Sequence, residues 1–282
     1  MTTIGITGAS GQLGRLVVEQ LKSKDPAEQL VALVRTPEKA AGLEILTRRA
    51  DYGQPDTLEA ALAGVHTLLL ISSSEVGQRV SQHTNVIEAA KKSKVKRIVY
   101  TSLLHADTSP MSLASEHVQT EALLRQSGIS FTILRNGWYI ENHAGTAKMA
   151  LAAGAFVGAA GSGRIAGAAR KDLAEAAAIV VTSSGHEGKT YELAGDQRYT
   201  LADVAEEIGR QAGRHLPYRD LGPDGYAKAL EGAGVPAPFA QAIAGWEVDA
   251  SRGALDDASG ELSRLLGRPT TPLSAVVTES LG

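Results

Sequence analysis

Three glycines, Gly8, Gly11 and Gly14, stand between an apolar run and an amphipathic stretch in residues 4–14, IGITGASGQLG. No other feature restricts the fold as much. A strand that turns sharply into a helix needs a permissive residue at Gly8. A backbone that approaches a pyrophosphate needs no side chain at Gly11, and a helix packed close to its sheet needs none at Gly14. The amides at the start of such a helix, together with the positive end of its dipole, receive an anion. A glycine triplet alone is weak evidence. This one follows a strand pattern directly and opens a helical one, which is the context dinucleotide binding requires.

The same alternation continues. Residues 30–34, 67–71, 97–100 and 131–134 read as buried strands, with helical periodicity over residues 13–21, 58–62, 80–90 and 113–124. Residues 43–49 offer a third strand that is short and polar at its end. Strand and helix in alternation imply a parallel sheet covered on both faces, and right-handed crossovers wind it into a Rossmann-type, doubly wound α/β fold. Beyond about residue 140 the texture changes. A helix over 144–153 leads into a glycine- and alanine-rich stretch at 154–169. A late strand over 191–193 and a helix over 201–212 follow. From residue 222, short helical pieces at 226–230, 239–243 and 262–266 are punctuated by glycine and proline. The expectation is an NADP-binding domain over 1–135 with a returning segment at about 156–195. Residues 136–155 and 196–282 would form a smaller, mostly helical, substrate-binding lobe.

The second strand ends in Arg35-Thr36-Pro37, with Lys39 one turn later. NAD-selective folds place an acidic residue here to take the ribose hydroxyls. A guanidinium instead suits a 2′-phosphate, which it can bind through two parallel hydrogen bonds. The expected cofactor is therefore NADP, as NADPH. Asp51 and Tyr52 would lie beside the adenine or form a plain turn. The net charge of −3 and the lack of a long Lys/Arg block argue against nucleic-acid binding. Lys91, Lys92, Lys94, Lys96 and Arg97, the densest basic patch, read as the solvated end of a helix. The absence of cysteine excludes disulfides and thiolate chemistry. No apolar stretch approaches the length of a membrane span, and no histidine pair has metal-ligand spacing, so neither a membrane nor a metal is expected. The reading is a cytoplasmic protein.

Longer stretches carry a resemblance. Residues 69–79 (LLISSSEVGQR), 101–110 (TSLLHADTSP), 134–139 (LRNGWY) with Glu141-Asn142, and 185–195 (GHEGKTYELAG) resemble the NmrA-like branch of the atypical short-chain dehydrogenase/reductases. Within that branch the chain is similar to the quinone- and triphenylmethane-dye-reducing group. The resemblance implies cofactor contacts at Gly8, Ala9, Ser10, Gly11, Gln12 and Leu13, at Arg35, and at Ser72, Ser73 and Ser74. It implies more at Asn136, Gly137, Trp138, Tyr139, Ile140, Glu141 and Asn142, and at Arg170.

Active short-chain dehydrogenases pair a tyrosine with a lysine four residues on, one helical turn apart. Counted back from Glu121, those positions hold Leu113 and His117. Leu113 cannot move a proton, so ordinary alcohol and ketone chemistry loses its acid. A quinone or a cationic dye is already electrophilic, and hydride delivery then depends mainly on orientation. His117 is either a proton donor or a packed helix residue paired with Glu121. His105 and Asp107 resemble part of a catalytic triad, but no Gly-x-Ser-x-Gly elbow accompanies them. Trp138 and Tyr139 stand out in a chain with 4% aromatics, at the carboxyl edge of a strand where ligands bind. The expectation is an NADPH-dependent reductase of quinones or similar planar electrophiles. Asn136, Tyr139 and His117 are its candidate catalytic residues, and Trp138 and Tyr139 line the acceptor pocket. Its partner is a small-molecule quinone or dye, and it acts as a monomer or homodimer. The alternative is a non-catalytic NADP(H)-binding redox sensor.

Overall fold

A computed structural model describes residues 2–24 and 28–282. Along the chain lie β1 (Thr3–Thr7), α1 (Gln12–Ser23), β2 (Gln29–Val34), β3 (Leu46–Arg49), α2 (Pro55–Ala61), β4 (Thr67–Leu70), α3 (Arg79–Lys92), β5 (Arg97–Leu103), α4 (Ala114–Gln126) and β6 (Ser130–Asn136). Next come α5 (Glu141–Ala144), α6 (Ala147–Ala153), β7 (Phe156–Gly158), α7 (Arg170–Thr182), β8 (Thr190–Leu193), α8 (Leu201–Gln211) and β9 (Tyr218–Asp220). The last four are α9 (Gly222–Gly232), α10 (Ala237–Ser251), α11 (Glu261–Leu266) and α12 (Leu273–Leu281). The elements group into two units.

The first unit comprises the described residues up to Asp107, then Leu113–Asn136 and Arg170–Glu192. Its seven strands run in the order β3-β2-β1-β4-β5-β6-β8, and the six from β3 to β6 pair in parallel. The central strands β1, β4 and β5 are buried along their whole length, because helices cover both faces of a parallel sheet. Leu68 and Leu70 join Val31, Leu33, Leu58, Leu62, Val86, Ile87 and Ile98 in one core layer. The two-residue period turns Leu69 to the opposite face, where α1 packs along α7. Each fully buried leucine or isoleucine contributes about 1.5–3 kcal/mol by leaving water. The Rossmann-type expectation is borne out, and the order reverses between β1 and β4. That switch point is where such sheets bind ligands, beyond the strands' carboxyl ends. Thr7 ties it together: Oγ1 donates to the Leu69 carbonyl at 3.0 Å and accepts from the Ile71 amide at 3.0 Å.

Two local expectations change. The third strand is limited to Leu46–Arg49, because Pro37 opens a 3-10 turn over Pro37–Leu43 and Glu44 takes a left-handed conformation. Arg97 is not on a solvated helix end. It lies buried in β5, with Nη1 on the Ser183 carbonyl at 2.9 Å and Nη2 on the Val180 carbonyl at 2.8 Å. There it neutralises the carboxyl end of α7, a placement that favours a cation.

The second unit comprises Thr108–Ser112, Gly137–Ala169 and Leu193–Gly282. It is mostly helical, with β7 and β9 paired in parallel. Helix α8 opens on a reciprocal cap: Thr200 Oγ1 accepts from the Asp203 amide at 3.2 Å, and Asp203 Oδ2 accepts from the Thr200 amide at 2.7 Å. Helices α9 and α10 pack together, and α12 packs on α5, α6 and α8. Both α9 and α10 extend well beyond the pieces expected at 226–230 and 239–243. Strands β7 and β9 and helix α12 were not legible in the sequence, since three-residue strands leave no alternation to read. No described helix is long and apolar enough to cross a membrane.

Candidate functional site

The glycine loop follows β1 at the switch point. Gly8 sits at φ +60, a conformation only glycine adopts without strain. Its N–H donates to the Leu33 carbonyl at 3.0 Å, and its carbonyl accepts from the Gly11 amide at 2.9 Å. A Cβ at Gly14 would lie 2.3 Å from the Gly8 oxygen, so the helix could not approach the turn with any side chain there. Gly11 is different. Its backbone (φ −78, ψ 172) suits any residue, and a Cβ would meet only the Gly8 oxygen, at 3.2 Å. The fold needs Gly8 and Gly14; the open face at Gly11 serves something that comes close to the backbone. Helix α1 has no side-chain cap at Gly11 and no acidic residue in its first turn, which leaves its amides and dipole available to an anion. These features fit a pyrophosphate. Arg15 locks the loop from behind, with Nε on the Ser10 carbonyl at 3.1 Å and Nη2 on the Lys39 carbonyl. Sequence reading did not single it out.

Residues Ser72, Ser73 and Ser74 follow β4 on the other side of the switch point. The Ser72 amide donates to Thr101 Oγ1 at 2.9 Å and the Ser73 amide to His83 Nε2 at 3.0 Å. That bond leaves the proton on His83 Nδ1, which donates to Thr120 Oγ1 at 3.0 Å. Tyr52 props the same segment, with its hydroxyl on the Ile71 carbonyl at 2.8 Å and its ring edge-on to His83. Asp51 forms a turn with the Gly53 amide at 2.9 Å. Arg35 lies at the end of β2, two-thirds exposed, and pairs with Glu75.

At the end of β6, Arg135 and Asn136 divide their roles. Arg135 grips Glu121 with two parallel bonds, Nε–Oε1 at 2.9 Å and Nη2–Oε2 at 2.8 Å. Its Nη1 reaches Asp107 at 2.9 Å and Glu192 at 2.8 Å. Asp107 and His105, whose amide donates to Glu192 at 2.8 Å, thus belong to a structural ion network and not to a triad. Asn136 is buried, and its Oδ1 has no hydrogen-bond partner among the described residues. A buried acceptor without a donor is costly. It fits a ligand N–H such as that of a carboxamide. Arg170 begins α7 in the same unit.

In the second unit the chain continues through Gly137, where a side chain would strike the Leu193 carbonyl at 3.0 Å. Trp138 and Tyr139 are both half-buried, Ile140 is buried, and Glu141 and Asn142 open α5. Trp138 meets Trp246 edge-to-face at 6.0 Å, and Trp246 meets Phe239 at 5.8 Å. The Trp246 indole N–H is fixed by Ser112 Oγ at 2.8 Å, while Phe239 is 47% exposed. Trp246 and Phe239 escaped the sequence reading because they lie about a hundred residues from Trp138, and only the fold joins them.

His117 is packed inside the first unit. Its Nδ1 shares a hydrogen bond with Tyr100 Oη at 2.7 Å, not with Glu121, which Ser102 and Arg135 occupy. Burial, with Arg79 nearby, pushes its pKa down to about 2, and the same causes push His83 down to about 3. Both rings are neutral at physiological pH. Unfolding returns each to about 6.5, so the stability each contributes is complete above that value and declines as pH falls toward the folded one. The loss is about 1.4 kcal/mol per pH unit per histidine. Denaturant melts between about pH 7.5 and about pH 5 should show that His117→Gln flattens the pH slope by about one proton's worth. An unchanged slope would contradict the buried, neutral assignment.

Residues 8–184 match the family described as NAD(P)H-binding. Over 278 residues, 98% of this chain and 97% of the relative, the sequence is 54% identical to quinone oxidoreductase 2 of Escherichia coli strain K12. The chain belongs to the NAD(P)H-binding family. Among solved structures it is similar to an NADPH-dependent quinone oxidoreductase complexed with NADPH from Escherichia coli. That match has a TM-score of 0.95 and 53% identity over 99% of this chain and 100% of that one. It is also similar to the Citrobacter sp. triphenylmethane reductase complexed with NADP(H), with a TM-score of 0.94 and 38% identity over 99% and 100%. The kinship read from residues 69–79, 101–110, 134–139 with Glu141-Asn142, and 185–195 is borne out.

Proposed function

We propose that this protein is a cytoplasmic NADPH-dependent reductase of quinones and similar planar electrophiles, triphenylmethane dyes among them, acting as a monomer or homodimer. The observation that carries the reading is the pairing of a phosphate-binding glycine loop with a Leu113/His117 pair that has no acid to give. Bound NADPH supplies a hydride to the acceptor. The residues of the chain bind and orient. Gly8, Ala9, Ser10, Gly11, Gln12, Leu13 and Gly14 hold the pyrophosphate, Arg35 takes the 2′-phosphate, and Ser72, Ser73 and Ser74 border the nicotinamide ribose. Asn136 receives an N–H at its unpaired Oδ1, and Arg170 in the first unit and Ile140, Glu141 and Asn142 in the second are further cofactor contacts in this reading. His117, neutral and bonded to Tyr100, is left as a packing residue. An electrophilic acceptor needs chiefly to lie flat at the correct distance, and aromatic faces suit that task.

Trp138 and Phe239 supply such faces, both packed edge-on to the buried Trp246, with Tyr139 beside Trp138 in the chain. Trp138→Ala is expected to raise the quinone KM several-fold to about tenfold, an aromatic pair being worth about 0.5–1.5 kcal/mol beyond burial. The NADPH dissociation constant should change little. A large fall in melting temperature, with quinone KM unchanged in the folded fraction, would reassign Trp138 to packing.

A further inference from the structure

The Arg35 guanidinium already holds an anion. Its Nη1 donates to Glu75 Oε1 at 2.7 Å, joining the end of β2 to the segment after β4. Glu75 is anchored from the other side, because its Oε2 accepts from Gln82 Nε2 at 2.7 Å. Gln82 is itself buried and also accepts from the Ser73 hydroxyl. Ser73 Oγ in turn accepts from the Glu75 amide at 3.2 Å. The carboxylate is thus presented to Arg35 by a braced loop and does not meet it by chance. The contacts with Arg35 and Gln82 hold the Glu75 carboxyl below its usual range, so it is charged at neutral pH.

We propose that Glu75 is a built-in competitor of the cofactor's 2′-phosphate, occupying Arg35 when no phosphate does and so setting how strongly the protein prefers NADPH to NADH. The inference rests on the reading of Arg35 as the 2′-phosphate ligand. A guanidinium binds phosphate best through two donors on one edge, and Glu75 takes one Nη1 proton and fixes the plane of the group. It also places a negative charge a few ångströms from any phosphate bound there. The pair is exposed on both sides, 67% and 44%. Such pairs are weak, and an arriving dianion can displace a monoanion from one. Apparent affinity is reduced by the fraction of time Arg35 is occupied. The reduction falls on NADPH alone, because NADH brings no group that needs Arg35.

The test is titration calorimetry of NADPH and NADH on the whole protein. Glu75→Gln preserves the side-chain shape and its place beside Gln82. It should tighten NADPH about two- to fivefold, the range an exposed charge pair spans, and leave NADH unchanged. Glu75→Ala should shift NADPH in the same direction. In an Arg35→Met background the gain should vanish. Weaker or unchanged NADPH binding in Glu75→Gln, or a gain that survives without Arg35, would overturn the proposal while leaving the Arg35 reading intact. Arg35→Met alone separates the two ideas: a loss confined to NADPH supports the 2′-phosphate site, and equal losses for both nucleotides overturn that reading and the Glu75 inference with it.

Discussion

Gly11→Val is expected to abolish NADPH binding while the protein stays folded. The backbone at Gly11 lies in the extended region, and an added Cβ meets only the Gly8 oxygen at 3.2 Å, so the fold is expected to take a valine with a small shift of the Gly8 carbonyl. Its branches would fill the face where the pyrophosphate must come within hydrogen-bonding distance of the loop amides. Two such charge-assisted bonds are worth about 3–6 kcal/mol together, or roughly two to four orders of magnitude in affinity. Calorimetry should find no saturable NADPH binding, with far-ultraviolet circular dichroism unchanged. Gly14→Val is the contrasting case. A Cβ there lies 2.3 Å from the Gly8 oxygen, so it should lower the melting temperature as well. Tight NADPH binding by a folded Gly11→Val protein would show that the loop is only a turn.

Arg135→Met is expected to be the most destabilising single change away from the nucleotide loop. It strips both bonds from Glu121, whose side chain is 5% exposed, and leaves a buried carboxylate with the Ser102 hydroxyl at 2.7 Å and the half-exposed Arg125 guanidinium at 3.7 Å. Breaking one side of a buried pair costs about 3–5 kcal/mol. In a unit of this size that corresponds to a fall of roughly 6–20 °C in melting temperature. Removing both charges, as in Arg135→Met with Glu121→Leu, should cost less than the single change, because the most deeply buried carboxylate is no longer left without its cation. Thermal and denaturant melts read both numbers. A loss below about 1 kcal/mol in Arg135→Met would place the pair among ordinary surface bridges.

Those two residues show what a sequence discloses and what it hides. Gly11 was legible because the demand on it is local: strand, turn and helix lie within a dozen residues, and each glycine has a separate reason. Arg35 was legible for the same reason, by its position at a strand end. Arg135 sits in a stretch that carries the family resemblance, just before the expected cofactor contacts, yet its four bonds reach Asp107, Glu121 and Glu192, and no spacing rule connects those positions. Glu75 reads as an unremarked loop acid until the strand order sets the ends of β2 and β4 on either side of β1. The aromatic group of Trp138, Trp246 and Phe239 is hidden for the same reason, since it is made by tertiary packing. His117 shows the opposite failure. Helical spacing pointed to Glu121 as its partner, but Arg135 and Ser102 satisfy that carboxylate, and the neighbouring strand supplies Tyr100 instead. The short strands β7 and β9 and the alanine-rich α7 lack the polar–apolar contrast on which periodicity depends.

Hydride transfer from NADPH to an electrophilic acceptor is expected to proceed on this protein without a tyrosine–lysine pair. Purified protein with NADPH and a small benzoquinone tests it directly, followed by the near-ultraviolet absorbance of the reduced nicotinamide. The expected result is catalytic loss of that absorbance over many turnovers, dependent on the quinone and abolished by Gly11→Val. Saturable NADPH binding with no turnover across quinones and triphenylmethane dyes would contradict the account and identify the protein as a nucleotide sensor.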